Sequence, residues 1–319
     1  MKILFTSVGR RVELVQSFKN AAKELSIDLD VIGADMSKSA PALFFCDEKK
    51  IVPSITNPNY IEQLIDICKK ESVDCLIPTI DTELIILAKY KNIFSTLGTI
   101  VLISDLDKIK ICRDKKRTAD YFCSLGLKSP KAVDDIEEYN YGFPAFIKPK
   151  NGSSSIDTYK ANNGEDLKLY AKKIGNYIIQ PFIFGTEYTV DIFCDYSGYP
   201  IYITPRERMA VRAGEVLKTR ICQDDKIIEE IQILVEDFKP CGQITVQLIR
   251  DDKTGEDYYI EINPRFGGGA PLSIKAGADS AKALLRLLQG EKLTYIEKAA
   301  LDGAVYSRFD QSVCVSEGN

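Results

Sequence analysis

Histidine and tryptophan are both absent from the 319 residues, and methionine occurs only three times. Without histidine the commonest general base is missing, and His-dependent catalytic triads and histidine-ligated zinc or iron sites are excluded. No C-x-x-C pair occurs among the nine cysteines, at positions 46, 68, 75, 112, 123, 194, 222, 241 and 314, which read as reduced core residues. No apolar run reaches the roughly 18 residues of a membrane-spanning helix. Met1 to Phe5 is too short for a signal peptide before Arg10 and Arg11, so a cytoplasmic protein without a membrane partner is expected. A net charge of −4 and a pI near 5.3 argue against a broad nucleic-acid-binding face. The first loop, Ser7 to Arg11, holds one glycine and no G-x-G-x-x-G, which makes a dinucleotide-dependent dehydrogenase a poor fit.

What is present, 45% hydrophobic and 28% charged residues, is ordinary for a globular chain of two or three subdomains. Its chemistry must run on carboxylates, cations, metal ions and positioning, a restriction that suits phosphoryl transfer.

Residues 1–104 alternate strand and helix. The runs Lys2 to Thr6, Leu29 to Ala34, Cys75 to Ile77 and Ile100 to Ile103 read as strands, and Val12 to Leu25, Tyr60 to Lys70 and Glu83 to Tyr90 as helices. That order implies an open parallel sheet, whose ligands sit at the carboxyl ends of its strands. Ser7 to Arg11, Asp35, and Thr79 to Glu83 should therefore share a rim, with Asp81 and Glu83 as candidate substrate contacts. Arg10 and Arg11 either grip an anionic substrate there or are solvated.

Beyond Asp105, Ile109 to Leu125 reads as one helix ended by Gly126. A strand from Phe143 to Pro149 carries Lys148, followed by the small polar loop Asn151 to Ser155; such a loop can fold over phosphates or be just a loop. Four arginines (Arg206, Arg208, Arg212, Arg220) and Lys218 crowd residues 205–220, as a solvated strand pair or as the lining of an anionic substrate pocket. Ala276 to Leu288 has the pattern of an amphipathic helix, and Val313 to Asn319 that of a short strand or frayed tail.

The most informative stretch is residues 244–269. Ile244 to Ile249 and Tyr258 to Ile262 are β-rich runs around the polar turn Asp251 to Gly255. Alternation places Glu261 and Asn263 on one face, and the turn sets Gln247 roughly opposite Glu261. A carboxylate with two amide oxygens suits a hard cation such as Mg²⁺. Arg265 beside it is placed to hold a phosphoryl group, and Gly267 to Gly269 allow close backbone approach. The competing reading is an edge hairpin whose Glu261 pairs with Arg265.

The run Glu261-Ile262-Asn263-Pro264-Arg265, with Gln247 upstream, resembles the metal-binding end of the ATP-grasp superfamily, and more narrowly the carbamoyl phosphate synthetase large-subunit group and its short stand-alone relatives. The resemblance implies an α/β protein in three parts: a pre-ATP-grasp domain (1–104), then a two-subdomain α+β ATP-grasp fold made of a lid (105–179) and a larger subdomain with the metal site (180–319). By the same resemblance Gln247, Glu261 and Asn263 bind Mg²⁺, with Mn²⁺ as a second candidate, and Arg265 contacts the transferring phosphate. Lys115, Lys148 and the loop Ser153, Ser154 and Ser155 contact ATP phosphates. Gln180, Pro181, Phe182 and Ile183 form the adenine hinge, and Glu187 holds the ribose. Arg212 and Lys218 are expected near the chemistry, with Arg206, Arg208 and Gly268 at the substrate. At Arg212 the synthetase group carries a histidine, a departure that argues against bicarbonate.

The expected function is a Mg-ATP-dependent ligase joining a small-molecule carboxylate to an amine through an acyl phosphate, with homodimerisation compatible and no nucleic-acid partner. The alternatives are phosphorylation of bicarbonate or carbamate, and a non-catalytic ATP-binding protein.

Overall fold

The computed structural model describes residues 1–151 and 156–316. Three sheets organise it, and each sends one edge or loop toward a common cleft.

The first sheet is built from β1 (Lys2–Thr6), β2 (Asp30–Asp35), β3 (Glu48–Ile51), β4 (Cys75–Pro78) and β5 (Ile100–Val101), in the order β3-β2-β1-β4-β5. All its neighbours are parallel. The crossover helices α1 (Val12–Leu25), α2 (Tyr60–Glu71) and α3 (Leu84–Thr96) cover it. Because both faces are covered, β1 and β4 are apolar almost throughout and buried. The expected shared rim is present: Gly9 N donates to Asp35 Oδ2 at 2.8 Å and Thr79 Oγ1 to the Ser7 carbonyl at 2.6 Å.

Next come α4 (Leu106–Arg113) and α5 (Lys115–Ser124), where a single helix was expected over 109–125. Asp114 breaks it: its backbone is extended, and its carboxylate caps α5 by accepting from Lys116 N at 3.0 Å and Arg117 N at 3.2 Å. The second sheet, β7-β6-β8, combines β6 (Ala145–Pro149), β7 (Tyr159–Ala161) and β8 (Tyr177–Pro181), with α6 (Gly164–Ile174) packed against it.

The third sheet contains β9 (Gly185–Cys194), β10 (Pro200–Arg212), β11 (Glu215–Ile221), β12 (Gly242–Asp251), β13 (Asp257–Asn263) and β14 (Val305–Ser307), in the order β13-β12-β9-β10-β11-β14. Helix α7 (Asp225–Phe238) lays Ile227, Ile231, Leu234 and Phe238 against Val190, Ile192, Val246 and Tyr259 of this sheet. On its far side α8 (Ala270–Ala276) and α9 (Ser280–Leu288) pack toward α1, joining the sheet to the first domain. The helix expected over 276–288 begins later. Gly277, at φ 121°, ends α8, and Asp279 caps α9 by accepting from Lys282 N. Residues 313–316 form no regular structure, and the remainder of the expected tail lies outside the described residues. Among the described residues no helix is long and apolar enough to cross a membrane.

All nine cysteines are free, but the expectation of a core role holds only for part of them: Cys68, Cys75, Cys194 and Cys241 are buried, while Cys123 and Cys314 are exposed. One charged pair does sit in the core. Arg206, 1% exposed, donates from Nε to Asp191 Oδ2 at 2.7 Å, and Asp191 also accepts from Ser273 Oγ at 2.6 Å. The cost of burying both charges is offset only while each keeps its partner. Asp191→Ala is therefore expected to destabilise the fold by about 3–5 kcal/mol, because it strands the Arg206 charge. Urea denaturation measures this, and a loss below about 1 kcal/mol would contradict it.

Candidate active site

Strands β12 and β13 pair antiparallel with Gln247 opposite Glu261 and Thr245 opposite Asn263. An irregularity follows Gln247, and such bulges recur beside functional sites. Asn263 Nδ2 donates to Glu261 Oε1 at 2.9 Å, so the two side chains lie together, and both line the cleft with Gln247. The edge-hairpin alternative does not describe this geometry: Arg265 places Nη2 and Nε 2.6 and 3.0 Å from Asp81 Oδ2, not on Glu261.

The cleft holds about 290 Å³ and draws its walls from the second and third sheets and from Arg11 and Lys115. Lys148, near the end of β6, is 3% exposed. Burial lowers its ammonium to about pKa 8, Glu261 opposing the shift and Lys115 adding to it. Lys115 is likewise lowered, chiefly by burial and against Glu261. Its backbone N–H donates to the Lys150 carbonyl, tying the start of α5 to the end of β6. A buried and a half-buried cation facing one carboxylate make this end of the cleft receptive to an anion.

At the other end, a side chain at Gly268 or Gly269 would displace the charged side chains packed on their backbone. A Cβ on Gly268 would come within 2.1 Å of Glu215 Oε2, and one on Gly269 within 2.6 Å of Arg206 Nη2. The glycine run therefore lets guanidinium groups close on the backbone.

The remaining sequence candidates divide by position. Arg206 and Arg208 line the cleft. Arg208 donates to Glu187 at 3.1 Å, to Thr189 and to the Gly214 carbonyl, and Glu187 itself is a lining residue. Asp81 is engaged with Arg265, and Glu83 is fully buried, accepting from Tyr60 OH at 2.6 Å, Ser7 Oγ and Thr79 N. Burial raises its carboxyl above the ordinary range, against those hydrogen bonds. Its visible role is to hold the rim loops. Arg10 and Arg212 point outward, with side chains 86% and 64% exposed, and share Asp310. Lys218 is exposed on β11 beside β14. Gln180 Nε2 donates to the Pro130 carbonyl at 2.9 Å, Phe182 N donates to the Pro144 carbonyl, and Pro181 and Ile183 are half-buried at the edge of β8. Ser153, Ser154 and Ser155 lie outside the described residues.

Two residues without a sequence-based assignment also belong here. Glu215 lines the cleft, and Arg308, just past β14, donates to it at 3.0 Å. Nothing near Arg308 resembles a motif; only its position after the β-like Val305-Tyr306-Ser307 hints at an ordered segment.

Residues 112–269 match the ATP-grasp domain model, which spans both the lysine-bearing elements and the hairpin. The chain is an ATP-grasp protein. Residues 3–102 of this ATP-grasp protein match the PylC-like N-terminal domain. It is 25% identical over 316 residues to the carbamoyl phosphate synthase large chain of Methanobrevibacter smithii, covering 91% of this chain but 30% of the relative. It is 33% identical over 190 residues to a D-alanine–D-alanine ligase of Fusobacterium nucleatum, covering 56% of this chain and 65% of the relative. The chain thus spans less than two thirds of either relative. In fold it is similar to the biotin carboxylase domain of Hydrogenobacter thermophilus 2-oxoglutarate carboxylase, solved with MgADP and bicarbonate (TM-score 0.75, 20% identity, 95% of this chain and 73% of that one). It also resembles N5-carboxyaminoimidazole synthetase from Staphylococcus aureus with ADP (TM-score 0.72, 17% identity, 92% and 78%).

Lys148 gives a test that needs no ligand. Its pKa in the folded chain, about 8, lies below the ordinary 10.5. The buried charge therefore costs stability in full below pH 8, on the order of 3 kcal/mol, and the cost fades as pH rises toward 10.5. Lys148→Met is expected to raise the melting temperature by several degrees at pH 7, with the gain shrinking across pH 8 to 10.5. An unchanged or lowered melting temperature at pH 7 would contradict the burial argument.

Proposed function

We propose that this protein is a Mg-ATP-dependent carboxylate–amine ligase that works through an acyl phosphate. The observation that carries the reading is the convergence of Gln247, Glu261 and Asn263 in one cleft with the half-buried Lys115 and the buried Lys148. The ATP-grasp match and the likeness to ligase relatives support it.

The donor set fits Mg²⁺. One carboxylate and two amide oxygens from paired strands leave positions for water and phosphate oxygens, as Mg²⁺ prefers. Among the described residues no three His, Cys, Asp or Glu side chains form a group able to hold a metal. When bound there, the ion would neutralise charge on the phosphate chain.

The residues divide the rest of the work. Lys115 and Lys148 hold the phosphates; Ser153, Ser154 and Ser155, outside the described residues, are assigned to the same phosphates by the family resemblance alone. Residues 180–183 receive adenine, with the Ile183 N–H as donor, and Glu187 receives the ribose. Pro181 lacks an N–H and can offer only its carbonyl. Arg265 faces the transferring phosphoryl group, and Asp81 fixes its guanidinium. A substrate carboxylate oxygen bonds to the γ-phosphorus while the bond to the β-bridging oxygen breaks, releasing ADP. The amine nitrogen then attacks the acyl carbon, phosphate leaves, and the amine proton passes to phosphate or solvent. Cations around the cleft stabilise each developing oxyanion without any histidine.

The bicarbonate reading keeps one point in its favour, the alignment to a carbamoyl phosphate synthase over 91% of the chain. ADP release with Mg-ATP decides between them. Paired pools of organic acids and amines should be required for release, and Glu261→Gln should cut it at least about a hundredfold with unchanged circular dichroism. Release that needs bicarbonate alone would transfer the protein to the second reading, and an active Glu261→Gln enzyme would remove the proposed roles.

A further inference from the structure

Arg11 and Arg308 come from opposite ends of the chain and meet at one carboxylate. Arg11 Nη1 lies 3.5 Å from Glu215 Oε1, and Arg308 Nη1 lies 3.0 Å from Oε2. The cations are the better buried partners: their side chains are 18% and 27% exposed, against 51% for Glu215. An ion pair to a half-exposed carboxylate adds little stability, and other contacts hold the two guanidinium groups: Arg11 Nη2 donates to the Thr79 carbonyl at 3.5 Å, and Arg308 Nη1 donates to the Val216 carbonyl at 3.2 Å, with Glu13 3.9 Å from its Nε. Glu215 also begins β11 directly after the turn at Ala213 and Gly214, both with positive φ, so it is carried by a loop tip rather than by the sheet interior. The clasp rests on the Gly268 backbone, where a Cβ would strike both Glu215 Oε2 and Arg11 Nη1, and this backbone runs directly from Arg265.

We propose that Arg11 and Arg308 form a receptor for a second carboxylate of the acid substrate, and that Glu215 fills it when substrate is absent. The acid is then at least a dicarboxylate: one carboxylate reacts beside Arg265, and the other displaces Glu215 as the β10–β11 turn withdraws. A carboxylate is the group indicated because the Glu215 carboxylate already bridges Nη1 of Arg11 and Nη1 of Arg308. The assignment of the reacting carboxylate rests on the ligase reading, whereas the clasp itself is a binding site that can be tested without turnover.

The test titrates the full chain with ¹³C-labelled succinate and, separately, ¹³C-labelled acetate, followed by NMR at pH 7 without nucleotide. Wild type should bind succinate weakly, and Glu215→Gln should bind it at least tenfold more tightly because the internal competitor loses its charge. In Glu215→Gln succinate should exceed acetate by at least tenfold, and adding Arg308→Gln should abolish the gain. The proposal is overturned if Glu215→Gln fails to tighten succinate, if no variant binds it, if acetate binds equally well, or if the gain survives Arg308→Gln in a protein with wild-type circular dichroism. Because Glu215→Gln is isosteric, its arm stands even if Arg308→Gln misfolds. Succinate binding of this kind without ADP release from any acid–amine pair would keep the clasp and remove the ligase reading; turnover of a monocarboxylic acid, unaffected by Glu215→Gln, would do the reverse.

Discussion

Pairing Gln247 with Glu261 turns both side chains, and Asn263 two residues on, toward the same cleft. A slip of one residue in this hairpin would send Glu261 and Asn263 to the opposite face, since side chains alternate along a strand. The register is held from both sides. On the other edge of β12, ten consecutive residues from Gly242 to Asp251 pair with β9 without interruption. Inward-facing Ile244, Val246, Leu248 and Tyr259 pack under α7. The apolar face thus fixes where the polar face points, and core packing supplies the precision that the proposed metal and phosphate site needs.

Charge placement is the second constraint. Lys148 and Lys115 are held in burial that disfavours their ammonium form, with Glu261 as the opposing charge. At the far end Arg265 is braced by Asp81 across 184 residues of sequence, and Arg11 and Arg308 close on Glu215. The cleft stores unfavourable cation burial that a polyanion would relieve on binding, and it does so without histidine. The ion pair between Arg265 and Asp81 also couples the first domain to the hairpin, so the first domain helps to position the group proposed to face the phosphoryl transfer.

Local patterns made much of this legible. The hairpin, its register and the first βαβ units follow from alternation, apolar runs and turn residues that lie within a few positions of one another. The break at Asp114 was hidden because Lys110 to Lys116 continues a helical pattern, and only the extended backbone of Asp114 makes it a cap. The arginine-rich strand misled for a different reason. Arg206 and Arg208 reach the cleft, but the register of β10 against β11 shifts around Ala210, so alternation does not carry Arg212 to the same face. Glu83 and Asp81 lie on the expected rim, yet their partners, Tyr60 and Arg265, are set by tertiary contacts that no spacing encodes. Arg308 depends on β14 joining the sheet edge, a pairing invisible before the fold is known.

The central claim is that the hairpin holds the metal and the phosphates together. Crystals grown with Mn²⁺ and a non-hydrolysable ATP analogue test it directly through the anomalous signal of the ion. The account predicts one strong peak within coordination distance of Gln247, Glu261 and Asn263 and of phosphate oxygens, with Lys115 and Lys148 on the same phosphate chain. A nucleotide bound elsewhere, or a metal peak away from these three side chains, would contradict it.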